Sequence, residues 1–222
     1  MKANSERVKG KNFKDFLGKP LFRWILDSLL EVEEIEQVII NTDARDILQE
    51  KGFAESDRIL IRDRKPEICG DMVSMNLVLA DDVKSIEADI YLMTHTTNPL
   101  ISTDTIRRAL STFQQEQSEG AADSLFTVDK IQNRFYRADG SAVNHNPNNL
   151  VRTQDLEPWF QENSNLYIFT RGSFAETNAR IGMKPMMFES PKFESIDIDT
   201  PEDWDFAFVA ARYLMEQKRQ QQ

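Results

Sequence analysis

Apolar residues recur along the chain in two alternating rhythms, one of helical spacing and one of short unbroken runs. Residues 20–30 place Leu21, Trp24, Ile25 and Leu29 at helical spacing, which predicts a helix. Residues 37–41 carry Val38, Ile39 and Ile40 in succession, the signature of a strand buried on both faces. The alternation continues with a helix over 44–52 closed by Gly52 and a strand over 58–61. A helix over 71–86 follows, with Met72, Met75, Val78, Leu79 and Val83 near one face. Next come a strand over 89–93, a helix over 102–115 capped by Ser102 or Thr103, and a strand over 123–128. Such alternation predicts an α/β fold, a mainly parallel sheet sandwiched by helices.

Beyond Val128 the rhythm breaks. Residues 135–143 hold Ala138, Asp139 and Gly140 between β-prone runs, a hairpin signal, and 144–149 form an Asn/Pro-rich loop. Strands are expected over 165–169, 185–189 and 195–199, with a short helix over 173–180. A closing helix over 201–216 has Thr200 as N-cap, Pro201 in the first turn and Asp203 nearby. The polar tail is expected to fray. No repeat divides the chain, so residues 1–222 read as one domain with an inserted lobe within 131–172. The chain opens on a polar, basic loop with no strand before it. In a parallel α/β sheet the phosphate-binding loop follows the first strand, so that strand is expected ahead of Met1.

Composition narrows the class. The chain has 222 residues, 40% hydrophobic and 29% charged, ordinary usage for one globular domain. A net charge of −10 argues against nucleic acid as a bulk partner, although local amides and a few cations suffice for a nucleotide. The single cysteine, Cys69, has no histidine near it in sequence. It reads as a structural thiol in a reducing, cytoplasmic setting. The opening stretch lacks an apolar leader, and no window reaches membrane-spanning length, so no membrane association is expected.

Two places could carry chemistry. Lys2, Ser5, Arg7, Lys9, Lys11 and Lys14 fall within fourteen residues. Such a turn can cradle a triphosphate, or it can be a solvated basic terminus. It is no P-loop, since G-x-x-x-x-G-K-[ST] is absent. Asp197 and Asp199 alternate in SIDID and so face one side, where they could share Mg²⁺ (or Mn²⁺) with substrate phosphates, or precede a helix as exposed acids. Arg134, Arg137 and Arg152 form a second cationic set, suited to a substrate carboxylate or to a wet surface. His95 and His145 are too far apart for a local metal signature.

In order and spacing these pieces resemble the acylneuraminate cytidylyltransferases (CMP-sialic acid synthetases) and their CMP-KDO synthetase relatives. The family's opening motif is similar to MKANSERVKGKN. Lys2 stands where the family has Arg, and Ser5, Lys11 and Asn12 match. Glu6 takes the place of a Lys, and Arg7 comes one position later, as in the KDO enzymes. LGKPL at 17–21 and Asn41, Thr42 and Asp43 follow. Arg64, Asp71 and Ser74 match the segment that contacts cytosine and ribose. His95 stands where a Gln normally reads the nucleotide. Arg152, Gln154 and Asp155 match an Arg-x-Gln-Asp stretch, Glu162, Asn163 and Ser164 match the acid-site region, and SIDIDTPED matches the metal-binding Asp-x-Asp.

The resemblance implies a nucleotide-diphospho-sugar transferase fold with a β-hairpin dimerisation lobe and a homodimer, with Phe135, Tyr136 and Trp159 suited to that contact. It also implies attack by a nine-carbon sugar acid's anomeric hydroxyl on the α-phosphorus of CTP, releasing pyrophosphate for cell-surface polysaccharide synthesis. Lys2, Ser5, Arg7 and Lys11 would hold the triphosphate, and Asp197 and Asp199 the metal. Asn12, Arg64, Asp71, Ser74 and His95 would line the nucleotide, and Arg152, Gln154 and Asn163 the sugar acid. Competing expectations are CMP-KDO synthesis, favoured by Arg7, another nucleotidyltransferase such as a molybdopterin guanylyltransferase, and a non-catalytic nucleotide-binding relative, favoured by Glu6 and His95.

Overall fold

A computed structural model describes residues 1–3, 5 and 7–220; Asn4 and Glu6 lie outside the described residues. The basic opening loop leads through a 3₁₀ turn at Lys11–Phe13 into a miniature antiparallel pair, β1 (Asp15–Phe16) and β2 (Lys19–Pro20). Leu17 and Gly18 make its tight turn at φ 54° and 90°, left-handed values that favour glycine. The sequence pattern missed this pair because two-residue strands carry no periodicity.

Helix α1 (Leu21–Leu30) buries Leu21, Phe22, Ile25, Leu26 and Leu29. The Arg58 guanidinium donates to the carbonyls of Leu30, Val32 and Ile35 just beyond it, at 2.6, 2.9 and 2.7 Å. Strand β3 (Val38–Thr42) pairs in parallel with β4 (Ile59–Asp63) across α2 (Arg45–Glu50). Helix α3 (Met75–Ser85) starts later than its apolar pattern suggests. Ser74 caps it, accepting from the Asn76 amide at 3.3 Å, and Met72 is left outside in solvent.

Strand β5 (Ile90–Thr94) leads to α4 (Thr103–Ser118), which Ser102 caps through the Thr105 amide at 3.2 Å, worth about 1 kcal/mol. Strands β6 (Ser124–Ile131) and β7 (Trp159–Thr170), helix α5 (Arg171–Thr177), β8 (Pro185–Glu189) and helix α6 (Pro201–Gln220) complete the order. The second sheet runs β5-β7-β6-β8. β7 is antiparallel to both neighbours, whereas β6 and β8 are parallel. The α/β fold is as expected, but the sheet is mixed, because β7 returns from the lobe rather than from a helix. Among the described residues no ladder joins β3 to β5. The amino group of Met1 donates to the Asn41 carbonyl at the end of β3, and burial lowers its pKa to about 5. The expected strand ahead of Met1 falls outside the described residues.

Three apolar clusters hold the layers. The largest packs α1, α2 and α4 against one face of the strands through Phe22, Leu48, Ile106, Phe113, Leu125 and Ile168. α3 and α5 cover the other face with Leu79, Val83, Phe174, Met93 and Tyr167. The third joins the start of the chain to its end, Val8, Phe16 and Leu21 against Ile198, Trp204 and Ala207. Residues 195–199 form no strand. Ile196 and Ile198 are buried and alternate with Asp197 and Asp199, yet the segment is tied to the body by the Ile198 amide donating to Thr97 O at 2.8 Å. A polar–apolar alternation needs only one packed face, not a paired edge. The lobe's hairpin is a single bridge, Tyr136 to Ala142, turned at Gly140 (φ 82°).

Candidate active site

The third cluster brings the opening loop and the SIDID segment together. Lys11 is buried, and its ammonium donates to the Ile198 carbonyl and lies 3.4 Å from Asp199 Oδ1. Arg7 reaches Asp199 Oδ2 at 3.1 Å. One carboxylate is thus shared by two cations, one buried and one exposed. Asp203 sets its backbone, accepting from the amides of Asp199 and Thr200 at 3.0 and 2.8 Å. Those bonds hold the Asp203 carboxyl below its usual range.

Asp197 lies on the same face. Burial pushes its carboxyl up, a hydrogen bond from Thr97 opposes this, and the charge of Asp199 adds to the rise. Its Oδ1 is buried with no hydrogen-bond partner among the described residues. A buried carboxylate oxygen left this way is costly unless a cation meets it.

The nucleotide candidates are tied to the opening loop, the end of β3 and the head of α3. Lys2 pairs with Asp71 at 2.6 Å, and its carbonyl accepts from Asn12 Nδ2 at 2.8 Å. Asn12 Oδ1 in turn accepts from Thr96 Oγ1 at 2.6 Å. Arg64 is buried, donating from Nε to Asn41 Oδ1 and from its terminal nitrogen to Asn41 O, both at 2.9 Å. It is committed to the end of β3. Ser5 sits half-buried in the opening loop, and Ser74 heads α3.

His95 stands at the end of β5. Burial lowers its pKa to about 4, Arg180 and the Met1 amine push the same way, Asp199 opposes, and Lys11 lowers it further. The ring is therefore neutral at pH 7 and can accept or donate one hydrogen bond. An ordinary His titrates at 6.5, so between the two values the unfolded chain binds the extra proton. Stability is full above pH 6.5 and falls as the pH drops toward 4. The loss is at most about 3 kcal/mol, reduced by partial exposure. His95→Gln is expected to flatten this part of the pH dependence in chemical denaturation. An unchanged slope would contradict the assignment.

The sugar-acid candidates divide. Asn163 is buried at a bulge of β7, where residues 163–166 stand against Thr127 alone. Ser164 has φ 56° there, a strained value for a non-glycine residue. Bulges re-aim side chains in this way. Asn163 Nδ2 donates to Ser190 Oγ at 2.7 Å, and its Oδ1 accepts from the Asn165 amide at 3.3 Å. Arg152 and Gln154 are not brought to the centre. Both are exposed in the lobe, and Arg152 is held in a fork by Asp155 at 2.7 and 2.9 Å, three residues on. Sequence reasoning missed Thr97 and Arg180, since only the fold places them beside the candidate residues. Asp203 was readable, but only as a helix-start residue.

A layered α/β domain whose cation-rich opening loop meets the Asp199 carboxylate near the end of the chain is an arrangement suited to nucleotidyl transfer. A family model described as Cytidylyltransferase matches residues 1–220, and the chain belongs to that family. It is 24% identical over 215 residues to the pseudaminic acid cytidylyltransferase of Campylobacter jejuni serotype O:2, covering 94% of this chain and 92% of the relative. It is 26% identical over 217 residues to the CMP-N,N'-diacetyllegionaminic acid synthase of Legionella pneumophila, covering 91% and 90%. Its fold matches a CMP:2-keto-3-deoxy-manno-octonic acid synthetase complexed with CTP, with TM-score 0.64 at 17% identity over 97% of this chain and 96% of that one.

Proposed function

We propose that this cytidylyltransferase condenses CTP with a nine-carbon nonulosonic acid of the neuraminic, legionaminic or pseudaminic type, giving the CMP-sugar and pyrophosphate. The observation that carries the reading is the Asp199 carboxylate held between Arg7 and Lys11. The anomeric hydroxyl attacks the α-phosphorus, one oxygen–phosphorus bond forms, the bond to pyrophosphate breaks, and the hydroxyl proton is released. Such transfer needs positioning and charge neutralisation above all. Lys2, Ser5, Arg7 and Lys11 supply donors to the triphosphate. Asn12, Asp71, Ser74 and neutral His95 border the nucleoside, with Arg64 bracing them through Asn41.

Asp197 and Asp199 fit Mg²⁺ or Mn²⁺, since both are hard oxygen donors on one face and Asp197 Oδ1 has no protein partner among the described residues. Such a cation, when bound, neutralises phosphate charge. The active species is a homodimer joined through the lobe, which exposes Tyr136, Leu150, Trp159 and Phe160. Phe135 stacks on Trp159 at 4.9 Å, so part of that aromatic surface is used within the lobe. The chemistry requires CTP, so the proposed compartment is the cytoplasm; no helix of the described residues is long and apolar enough to cross a membrane.

The test is pyrophosphate release from CTP against N-acetylneuraminic, legionaminic and pseudaminic acids and KDO, with and without Mg²⁺, on protein whose mass is measured by light scattering. Turnover with a nine-carbon acid, dependent on the cation and carried by a dimer, is expected. CTP binding without turnover on any acid would favour a non-catalytic relative, and a preference for KDO would overturn the acid class.

A further inference from the structure

A cleft of about 330 Å³ runs from Ser74, Met75 and Asn76 at the head of α3 to Glu162 on β7 and Arg180 after α5. It therefore joins the nucleotide side of the site to the bulge of β7. Arg180 is the one cation among the described residues that line it. Its guanidinium lies 3.8 Å from the centre of the Tyr167 ring, and its amide donates to Asn76 Oδ1 at 3.4 Å. Arg180 is also the foremost charge acting on His95, which feels Lys11 and Asp199 as well. Arg180 thus lies near the same centre.

The guanidinium is well placed but poorly paired. Its carboxylate contact is a single one, 3.4 Å to Glu162 Oε1, an oxygen that already accepts from the Tyr167 hydroxyl. Among the described residues its other terminal nitrogen meets only the Met93 sulfur, at 4.0 Å. A fork of five donors stacked on a buried ring is preorganised for a planar oxyanion. A nonulosonic acid carries its one negative charge on a carboxylate, attached to the carbon that bears the reacting hydroxyl.

We infer that Arg180 anchors the carboxylate of the sugar acid, and that Glu162 is a placeholder partner the substrate displaces. This rests on the proposed function. Anchoring there fixes the reacting carbon relative to the nucleotide. It also makes the chain select the charged acid over a neutral derivative of identical shape.

The experiment compares each acid that turns over with its methyl ester, in the wild-type chain, Arg180→Gln and Arg180→Lys, with CTP affinity measured by calorimetry. The wild type should prefer the free acid by about 10- to 100-fold in kcat/KM, the range of a charge-assisted hydrogen-bonded pair. In Arg180→Gln that preference should collapse to within about threefold, CTP affinity should stay within about twofold, and Arg180→Lys should keep part of the preference. A preference that survives in Arg180→Gln, or CTP affinity that falls in step with acid affinity, overturns the inference. A wild-type chain inactive on every acid instead defeats the proposed function. In that case calorimetric binding of acid against ester still reads Arg180.

Discussion

Asp199→Ala is expected to reduce pyrophosphate release by at least about 10³-fold, the scale seen when a preorganised charge is removed from a transferring group. The side chain is half exposed, so the fold should survive its loss. Arg7 is mostly solvated, and Lys11 keeps the Ile198 carbonyl. The exposed pair with Arg7 contributes about 0–1 kcal/mol, and loss of the 3.4 Å contact from buried Lys11, which keeps the Ile198 carbonyl, adds about 1 kcal/mol, so the melting temperature should fall by about 4–8 °C for a chain of this size. Activity and stability should therefore separate. Loss of both together would mean that Asp199 is a structural strut, and retained turnover would remove it from the chemistry.

The opposite separation is expected at Phe16, which is fully buried. Its ring meets Trp24, Trp204 and Phe208 edge-on, at 5.5, 5.1 and 6.0 Å, and its carbonyl accepts from Trp24 Nε1 at 2.8 Å. Trp204 and Phe208 belong to α6, so this aromatic cluster clips the end of the chain to its beginning. Phe16→Ala is expected to cost about 3–5 kcal/mol and to lower the melting temperature by about 10 °C. Phe16→Leu, which keeps most of the volume, should cost about half as much. A cost below about 1 kcal/mol for the alanine variant would mean that other contacts hold the two ends together.

These two residues show what the sequence disclosed and what it withheld. The carboxylates of SIDID were legible because alternation records which side of a segment is packed, and Ile196 and Ile198 do face the core. That the segment forms no strand was not legible, since pairing depends on a neighbour elsewhere in the chain. Strand β7 runs twelve residues, but its first half, WFQENS, is polar and aromatic, so only the second half from Asn165 reads as strand. Its antiparallel direction follows from a lobe without helical periodicity.

Among the site residues, Lys11 and Asp199 were found because each lies in a dense local pattern. Arg180 lies in an unremarkable NARIGMK stretch, and its role comes wholly from the Tyr167 ring beneath it. Arg152 shows the converse. A matching motif put it forward, and within the chain its exposed guanidinium pairs with Asp155.

In the proposed function Lys11 and Asp199 act as one unit on one triphosphate, and a double-mutant cycle in steady-state turnover reads this most directly. Groups that work as a unit lose their effect together, so the combined variant should be little worse than the worse single one. For Lys11→Met and Asp199→Asn, the double variant is predicted to fall within about tenfold of the weaker single variant. Losses that multiply in full would show the two residues acting independently, and the shared site at the junction of the chain ends would be contradicted.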